Sequence, residues 1–196
     1  MMQAYTLIDT GRSKFWVVPN FTPDYYYDLT QLPVNEEPPI VVYGKTVKQN
    51  RDISFFSDES IGYKYSGQMM PSIPLKSSRL LSELLPAVNK ILGTQFNGIL
   101  LNRYRSGEKS IGSHSDDEKA LDKNRKMVAG LAYGPGIRKF RIRDKKTNKI
   151  VLDYDHQPCT LIAMEGDFQS EFKHEIPKQL KVKGERISIT FRHHLE

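Results

Sequence analysis

His114 to Glu118 place one histidine and three carboxylates in five consecutive positions of a chain that is otherwise basic, with a net charge of +6. Along a strand, residues i and i+2 share a face, so His114 and Asp116 could reach one ion. Two histidines and one carboxylate on one face of a metal form the ligand set of non-haem iron oxygenases. That set leaves the remaining positions open for co-substrate and oxygen. It requires a second histidine from a distant segment, and His174 in "EFKHEIP", on a late strand before a proline turn, is the best candidate. A calcium loop is excluded: "HSDDEKALDKNR" lacks the alternating oxygen ligands, central glycine and closing glutamate of an EF-hand. A polar turn with a chance histidine stays open, since short His-x-Asp matches are common.

Two other segments bear on that choice. In "RISITFR", Arg186, Ser188, Thr190 and Arg192 share one face of a strand, and Ile187, Ile189 and Phe191 share the other. Two arginines on a strand that looks buried need anions, because buried unpaired charge is costly. A dicarboxylate would supply two, each matching a guanidinium fork; salt bridges to Asp or Glu would also serve. In "LLNRYRSG", Asn102 and Tyr104 share a face and could complete a carboxylate pocket, or sit in the core satisfied by backbone.

The elements that must position these residues are mostly strands. "SSRLLSELLPAVNKILG" (77–93) is the clearest helix, with Leu81, Leu84, Leu85, Val88, Ile91 and Leu92 in helical spacing and Gly93 as its cap. Pro86 predicts a kink or a division into two short helices. A shorter helix is expected to begin at Thr22 with Pro23 at its first position. "AYTLID" and "FWVV" read as strands, "IVVYGKTVKQNRD" (40–52) as a strand entering a basic loop, and "QMMPSIP" as loop. After Gln95, "FNGILLNRY", "KMVAGLAYG", "IRKFRIRD", "KIVLDY", "CTLIAMEGD", "SEFKHEI" and "ERISITFRHH" all read as strands. Evenly spaced strands after one strong helix predict a mainly β sandwich or barrel with helices on one side.

The 196 residues suit one domain, and 38% hydrophobic with 27% charged residues describes a soluble globular chain. A single cysteine, Cys159, excludes an intramolecular disulfide framework and favours a reducing compartment. No secretory signal and no membrane-spanning stretch is evident. An intracellular monomer, in cytoplasm or nucleus, is therefore expected. The basic balance points to nucleic acid as partner.

Taken in order, "NRYRSGEKSIGSHSDDE", "MEGDFQSEFKHEIPK" and "RISITFR" resemble the AlkB family, iron(II)- and 2-oxoglutarate-dependent dioxygenases that remove alkyl groups from nucleic acid. The resemblance runs from about Ile40 to Arg192. It implies a double-stranded β-helix, or jelly-roll, with flanking helices. Residues 1–35 are expected to form an N-terminal extension packed on a dioxygenase domain of residues 36–196, in which 40–75 serve as a nucleotide-recognition lid. By resemblance His114, Asp116 and His174 hold Fe(2+). Arg186 with Tyr104 and Ser188 takes the distal carboxylate of 2-oxoglutarate, and Thr190 lies on the same co-substrate face. Arg192 with Asn102 takes the carboxylate beside the keto group. The implied reaction uses O2, converts 2-oxoglutarate to succinate, and releases an N-methyl group of alkylated DNA or RNA as formaldehyde, with 1-methyladenine and 3-methylcytosine as the type substrates.

The resemblance also supplies base-reading residues. Tyr65 corresponds to an aromatic that stacks on the extruded base, where a cationic base gains cation–π attraction. Glu118, with Asp117, would stand beside that base; exposure to solvent is the plain alternative. Tyr43 corresponds to a hairpin tip that probes the duplex, while Tyr63 reads as core. Clusters at Lys45, Lys48 and Arg51, at Arg138, Lys139, Arg141 and Arg143, and at Lys178, Lys181 and Lys183 are candidates for phosphate contact. His193 and His194 read as exposed, His156 has no evident partner, and Cys159 reads as a small core residue. A protein hydroxylase or demethylase on the same fold, and a catalytically silent nucleic-acid reader, are the competing functions.

Overall fold

Period-two alternation sorts the polar and apolar residues of this chain onto opposite faces of its strands, and the architecture follows from where those faces go. The structure, a computed structural model, describes residues 3–42, 44–65, 68–117 and 126–195. Its strands are β1 Tyr5–Asp9, β2 Ser13–Val18, β3 Pro39–Val42, β4 Lys45–Lys48, β5 Asp52–Phe56, β6 Gly62–Tyr65, β7 Gln68–Pro71, β8 Gly98–Tyr104, β9 Ile111–His114, β10 Val128–Tyr133, β11 Arg138–Asp144, β12 Ile150–His156, β13 Leu161–Gly166, β14 Phe172–Ile176 and β15 Arg186–Arg192. The helices are α1 Tyr26–Thr30, α2 Arg79–Leu92 and α3 Phe168–Glu171.

A seven-stranded sheet runs β1-β2-β13-β10-β15-β8-β5, and a four-stranded sheet runs β12-β11-β14-β9. Every named pairing in both is antiparallel. The sheets pack on each other through Phe15, Val17, Val128, Ile162 and Met164 from the larger and Phe140, Ile142, Phe172 and Ile176 from the smaller. The opposite face of the larger sheet, with Ile99, Leu101, Ala129, Leu131, Ile187, Ile189 and Phe191, buries against Leu81, Leu84, Leu85 and Val88 of α2. Each of those helix side chains contributes roughly 1.5–3 kcal/mol by leaving water. This is the jelly-roll with helices on one side that the strand pattern predicts. Residues before 36 are built into it: β2 pairs with β13 over six positions, and Phe15 and Leu29 are buried in the core.

Several local expectations are corrected. Helix α2 is continuous through Pro86, because Ser78 caps its start by accepting from the Leu81 N–H and Gly93, at φ +65°, closes its end. Packing of one apolar face outweighs the missing backbone donor. Ile91, expected on that face, is 54% exposed. Helix α1 starts at Tyr26 rather than at Thr22, since Asp24 accepts from the Tyr26 N–H in a local turn and the Thr22 hydroxyl bonds instead to Tyr133. Residues 39–48 form a hairpin that turns at Gly44, φ +75°. "QMMP" is not loop but β7, paired with β6. β5, which the pattern did not single out, is the edge of the larger sheet.

Candidate metal and co-substrate site

The interior between the sheets is apolar at one side and polar at the other, and the polar part is assembled by strand register. β14 pairs with β9 so that His174 stands opposite His114, ring centroids 4.4 Å apart. Asp116 lies two residues past the end of β9, in a bend rather than on the strand that the His114–Asp116 spacing suggested. The Nε2 of His114 lies 3.7 Å from Asp116 Oδ1, and the Nε2 of His174 lies 3.7 Å from Asp116 Oδ2. Ligand atoms of the three residues fall within 4.8 Å of one another, the one such His, Cys, Asp or Glu cluster among the described residues.

Local bonds decide which atoms face the centre. His114 Nδ1 is 2.8 Å from the Gly112 carbonyl, which can only accept, so Nδ1 carries the proton and Nε2 presents its lone pair. Burial lowers the pKa of His114, and it pushes His174 down to about 3, so both rings are neutral ligand donors. Burial works to raise Asp116, but Arg192, whose Nη2 donates to Oδ1 at 2.8 Å, together with the histidines leaves the carboxyl below its usual range. The Asp116 N–H donates to Gln169 Oε1 on α3 at 2.8 Å, and Phe140 stacks on His174 at 5.1 Å. Asp116 Oδ2 is buried with no hydrogen-bond donor. Two neutral imidazoles and a carboxylate oxygen without a donor, converging on one point, fit a divalent cation.

The cavity continues along the inner faces of β8 and β15, whose register sets Ser188 opposite Asn102 and Arg186 opposite Tyr104. Asn102, Tyr104, Arg186, Ser188, Thr190 and Arg192 all line it together with the three candidate ligands. Arg186 closes one end. It is 3% exposed, its guanidinium lies 5.6 Å from the centroid of the Tyr104 ring, and its Nε and Nη1 are buried without a partner. Burial draws it down to about 10, with Tyr104 opposing and Arg138 assisting, so it remains a cation at neutral pH. No carboxylate pairs with it among the described residues. Such an end favours an anionic group with two acceptor atoms.

The comparisons agree with this geometry. The family model described as the 2OG-Fe(II) oxygenase superfamily matches residues 31–192. The chain belongs to that superfamily. Among curated relatives it is similar to the DNA oxidative demethylase ALKBH2 of Arabidopsis thaliana, at 30% identity over 79% of this chain and 56% of the relative. It is also similar to the alpha-ketoglutarate-dependent dioxygenase alkB homolog 3 of Bos taurus, at 31% over 75% of this chain and 52% of the relative. The chain thus spans about half the length of the curated relatives it matches. The solved structure of OsALKBH1 shares the fold, with a TM-score of 0.60 at 15% identity, covering 92% of this chain and 96% of that one. The AlkB-family resemblance is shown, and this is a dioxygenase domain of a family that uses iron(II), 2-oxoglutarate and O2.

For this oxygenase domain the details differ from the sequence reading in instructive ways. Arg192 and Asn102 line the same cavity, and Arg192 also pairs with Asp116 and donates to the Tyr63 hydroxyl at 3.3 Å. Asn102 Oδ1 accepts from Arg51 Nε at 2.7 Å. Arg51 and Arg138, expected on a phosphate-binding surface, are both buried. Arg138 is held by the carbonyls of Ser106, Lys109 and Pro177 at 2.6–2.9 Å. Lys139, Arg141 and Arg143 are paired with Asp155, Asp153 and Glu175. Asp117, expected beside the substrate, is exposed and paired with Lys145 at 3.1 Å. His194 is buried against Phe55 rather than exposed. Cys159 is partly buried, at positive φ. Tyr43 and Glu118 lie outside the described residues, and of Tyr65 only the strand is described.

Four cavity or support residues escaped sequence reading: Arg51, Tyr63, His156 and Gln169. For His156 a signal existed. Leu152, Tyr154 and His156 alternate with Asp153 and Asp155 along β12, which puts the histidine on the inward face. Gln169 acts on Asp116 through the backbone of another element, which no local pattern encodes.

Proposed function

We propose that this domain removes N-linked alkyl groups from nucleobases of DNA or RNA. The observation that carries the reading is the His114–Asp116–His174 cluster sharing one cavity with an arginine that lacks an anion. In this reading the three clustered residues hold iron(II). Arg186, Tyr104 and Ser188 bind the distal carboxylate of 2-oxoglutarate. Arg192, Asn102 and Thr190 line the metal-side end of the co-substrate. Iron(II), with 2-oxoglutarate and O2, supplies the oxidation that converts an N-methyl group to a hydroxymethyl group, which leaves as formaldehyde. The chain's own work is placement: neutral imidazoles present lone pairs, Arg192 keeps Asp116 ionised, and apolar sheet faces keep water from the oxidising centre.

Base reading is assigned to residues of the lid and of the segment after Asp116. Tyr65 stacks on the extruded base, Glu118 accepts from its exocyclic amine, and Tyr43 contacts the duplex. Exposed Lys45 and Lys48 on the β3–β4 hairpin supply phosphate contacts. Asp117, engaged with Lys145, is left out of the base contacts and steadies the loop. Support comes from the curated relatives, one of which is named as a DNA oxidative demethylase. The deciding experiment incubates the protein with iron(II), ascorbate and 2-oxoglutarate on oligonucleotides bearing 1-methyladenine or 3-methylcytosine, in DNA and in RNA. Formaldehyde and the repaired base are expected in equal amounts. Succinate formation unaffected by any of these oligonucleotides, with no formaldehyde, would remove nucleic acid as the substrate.

A further inference from the structure

His156 is the one side chain that bonds to the guanidinium of Arg186 among the described residues, and its chemistry is unusual for that task. The imidazole is 2% exposed. Its Nε2 is 2.8 Å from the Thr160 carbonyl, and its Nδ1 is 3.2 Å from Arg186 Nη2. A carbonyl only accepts, so Nε2 must carry the proton. Nδ1 then holds a lone pair and must accept from Arg186. Both ring nitrogens are committed and the tautomer is fixed by bonding alone.

Aromatic side chains flank the ring. Phe140 meets it edge-on with centroids 6.4 Å apart, and Tyr154 lies 6.0 Å away on the same strand. The backbone of His156 is paired across the sheet to Arg138 at the start of β11. His156 therefore transfers the rigidity of the smaller sheet to an arginine that springs from the larger one.

We propose that His156 is a positioning residue for the co-substrate: as a neutral acceptor it fixes the Arg186 guanidinium without cancelling its charge, and so sets affinity for 2-oxoglutarate. This rests on the reading that Arg186 binds the distal carboxylate. A buried arginine is ordinarily fixed by a carboxylate, which is the stronger partner. Here a carboxylate would occupy the guanidinium and remove the attraction that the co-substrate needs. An imidazole supplies direction without countercharge. It takes one N–H of Nη2 and leaves the other to form a fork with Nε or Nη1, the two buried nitrogens that lack partners, for the incoming anion. Burial keeps the ring neutral, with a pKa of about 3, so the accepting lone pair persists at neutral pH.

Three variants test this. His156→Phe keeps the ring and its packing but removes the acceptor. His156→Asn keeps an acceptor of no charge. His156→Asp, the same size as Asn, keeps an acceptor but adds charge. Binding of 2-oxoglutarate is measured calorimetrically without oxygen, with Mn(II) in place of iron, alongside KM and kcat for 2-oxoglutarate. Folding is followed by thermal unfolding. His156→Phe is expected to weaken binding and raise KM by about tenfold or more, the worth of one hydrogen bond to a charged group. Its kcat at saturating 2-oxoglutarate and its Mn(II) affinity stay close to the wild type. His156→Asn recovers most of the affinity, and His156→Asp does not. Equal affinity of the Asn and Asp variants overturns the proposal, as does wild-type affinity in a folded Phe variant. The Asn–Asp comparison stands even if the Phe variant does not fold. Failure of the wild type itself to bind 2-oxoglutarate overturns the assignment of Arg186 and this inference with it.

Discussion

Arg192 and Arg186 leave the same face of one strand and are both nearly buried, yet they live in opposite electrical surroundings. Arg192 donates at 2.8 Å to Asp116, a carboxylate that belongs to the protein. Arg186 faces an imidazole, an aromatic ring and unfilled donor positions. The metal end of the cavity thus holds an arginine already paired with a protein carboxylate, whereas the far end holds one that no protein carboxylate pairs among the described residues. One end is built for a fixed geometry and the other for a ligand that comes and goes.

Breaking the metal end should have the largest effect. Asp116→Ala removes one candidate ligand and strands Arg192. Turnover should fall by at least the roughly 10²–10³-fold typical of losing one electrostatic contact in an active site, and tight Mn(II) binding should disappear from calorimetric titrations. Next in size, Arg192→Met should destabilise the fold by about 3–5 kcal/mol in urea unfolding, because it leaves Asp116 buried without its partner. Arg186→Met sharpens the contrast. It should weaken 2-oxoglutarate binding about 100-fold or less, on the scale of 1.5–3 kcal/mol for hydrogen bonds to a charged group. Its stability should fall by less than that of Arg192→Met, about 1–3 kcal/mol, since the buried group left without a donor is the neutral imidazole of His156 and not a carboxylate. If both methionine variants lose stability equally, the asymmetry between the two ends is wrong.

Acid should expose the neutral histidines. Burial holds His156 and His194 down to about 3, so on acidification below about 6.5 the unfolded chain takes up protons that the native state refuses. Stability should then drop as pH falls from 7 toward 4, with a limiting slope of about 1.4 kcal/mol per pH unit for each histidine. Urea midpoints at stepped pH read this directly, and His194→Phe should flatten the curve by one histidine's share. The smallest effect is expected from Ser188→Ala, a neutral hydroxyl at the co-substrate end. It should raise KM for 2-oxoglutarate by about fivefold, the worth of roughly 1 kcal/mol.

Pattern reading recovered what period-two geometry encodes. The four polar residues of β15 do line one cavity, and their apolar neighbours do face α2. The pairing of His114 with a distant His174 was legible because a facial triad demands a second histidine, and few remain in the chain. What escaped is what depends on the neighbouring element. Arg138 and Arg51 look like surface cations in a basic segment, but their partners are backbone carbonyls and an asparagine from other strands. Tyr63 looked like core and is core, yet its hydroxyl also meets Arg192. Pro86 read as a breaker because propensity is local, while the apolar face that carries α2 through it is tertiary.

The buried Arg138 has a mechanical consequence. It gathers the carbonyls of the loop just before β9 and of the segment just after β14, the two strands that carry His114 and His174. Gly107 brings the same two segments so close that a β-carbon there would meet the Gln179 backbone. The histidine-bearing strands are thus clamped together by chain and arginine. Chelators should therefore strip the centre without melting the scaffold around it, leaving circular dichroism intact. Cobalt or manganese could then be exchanged into the folded protein by simple dialysis.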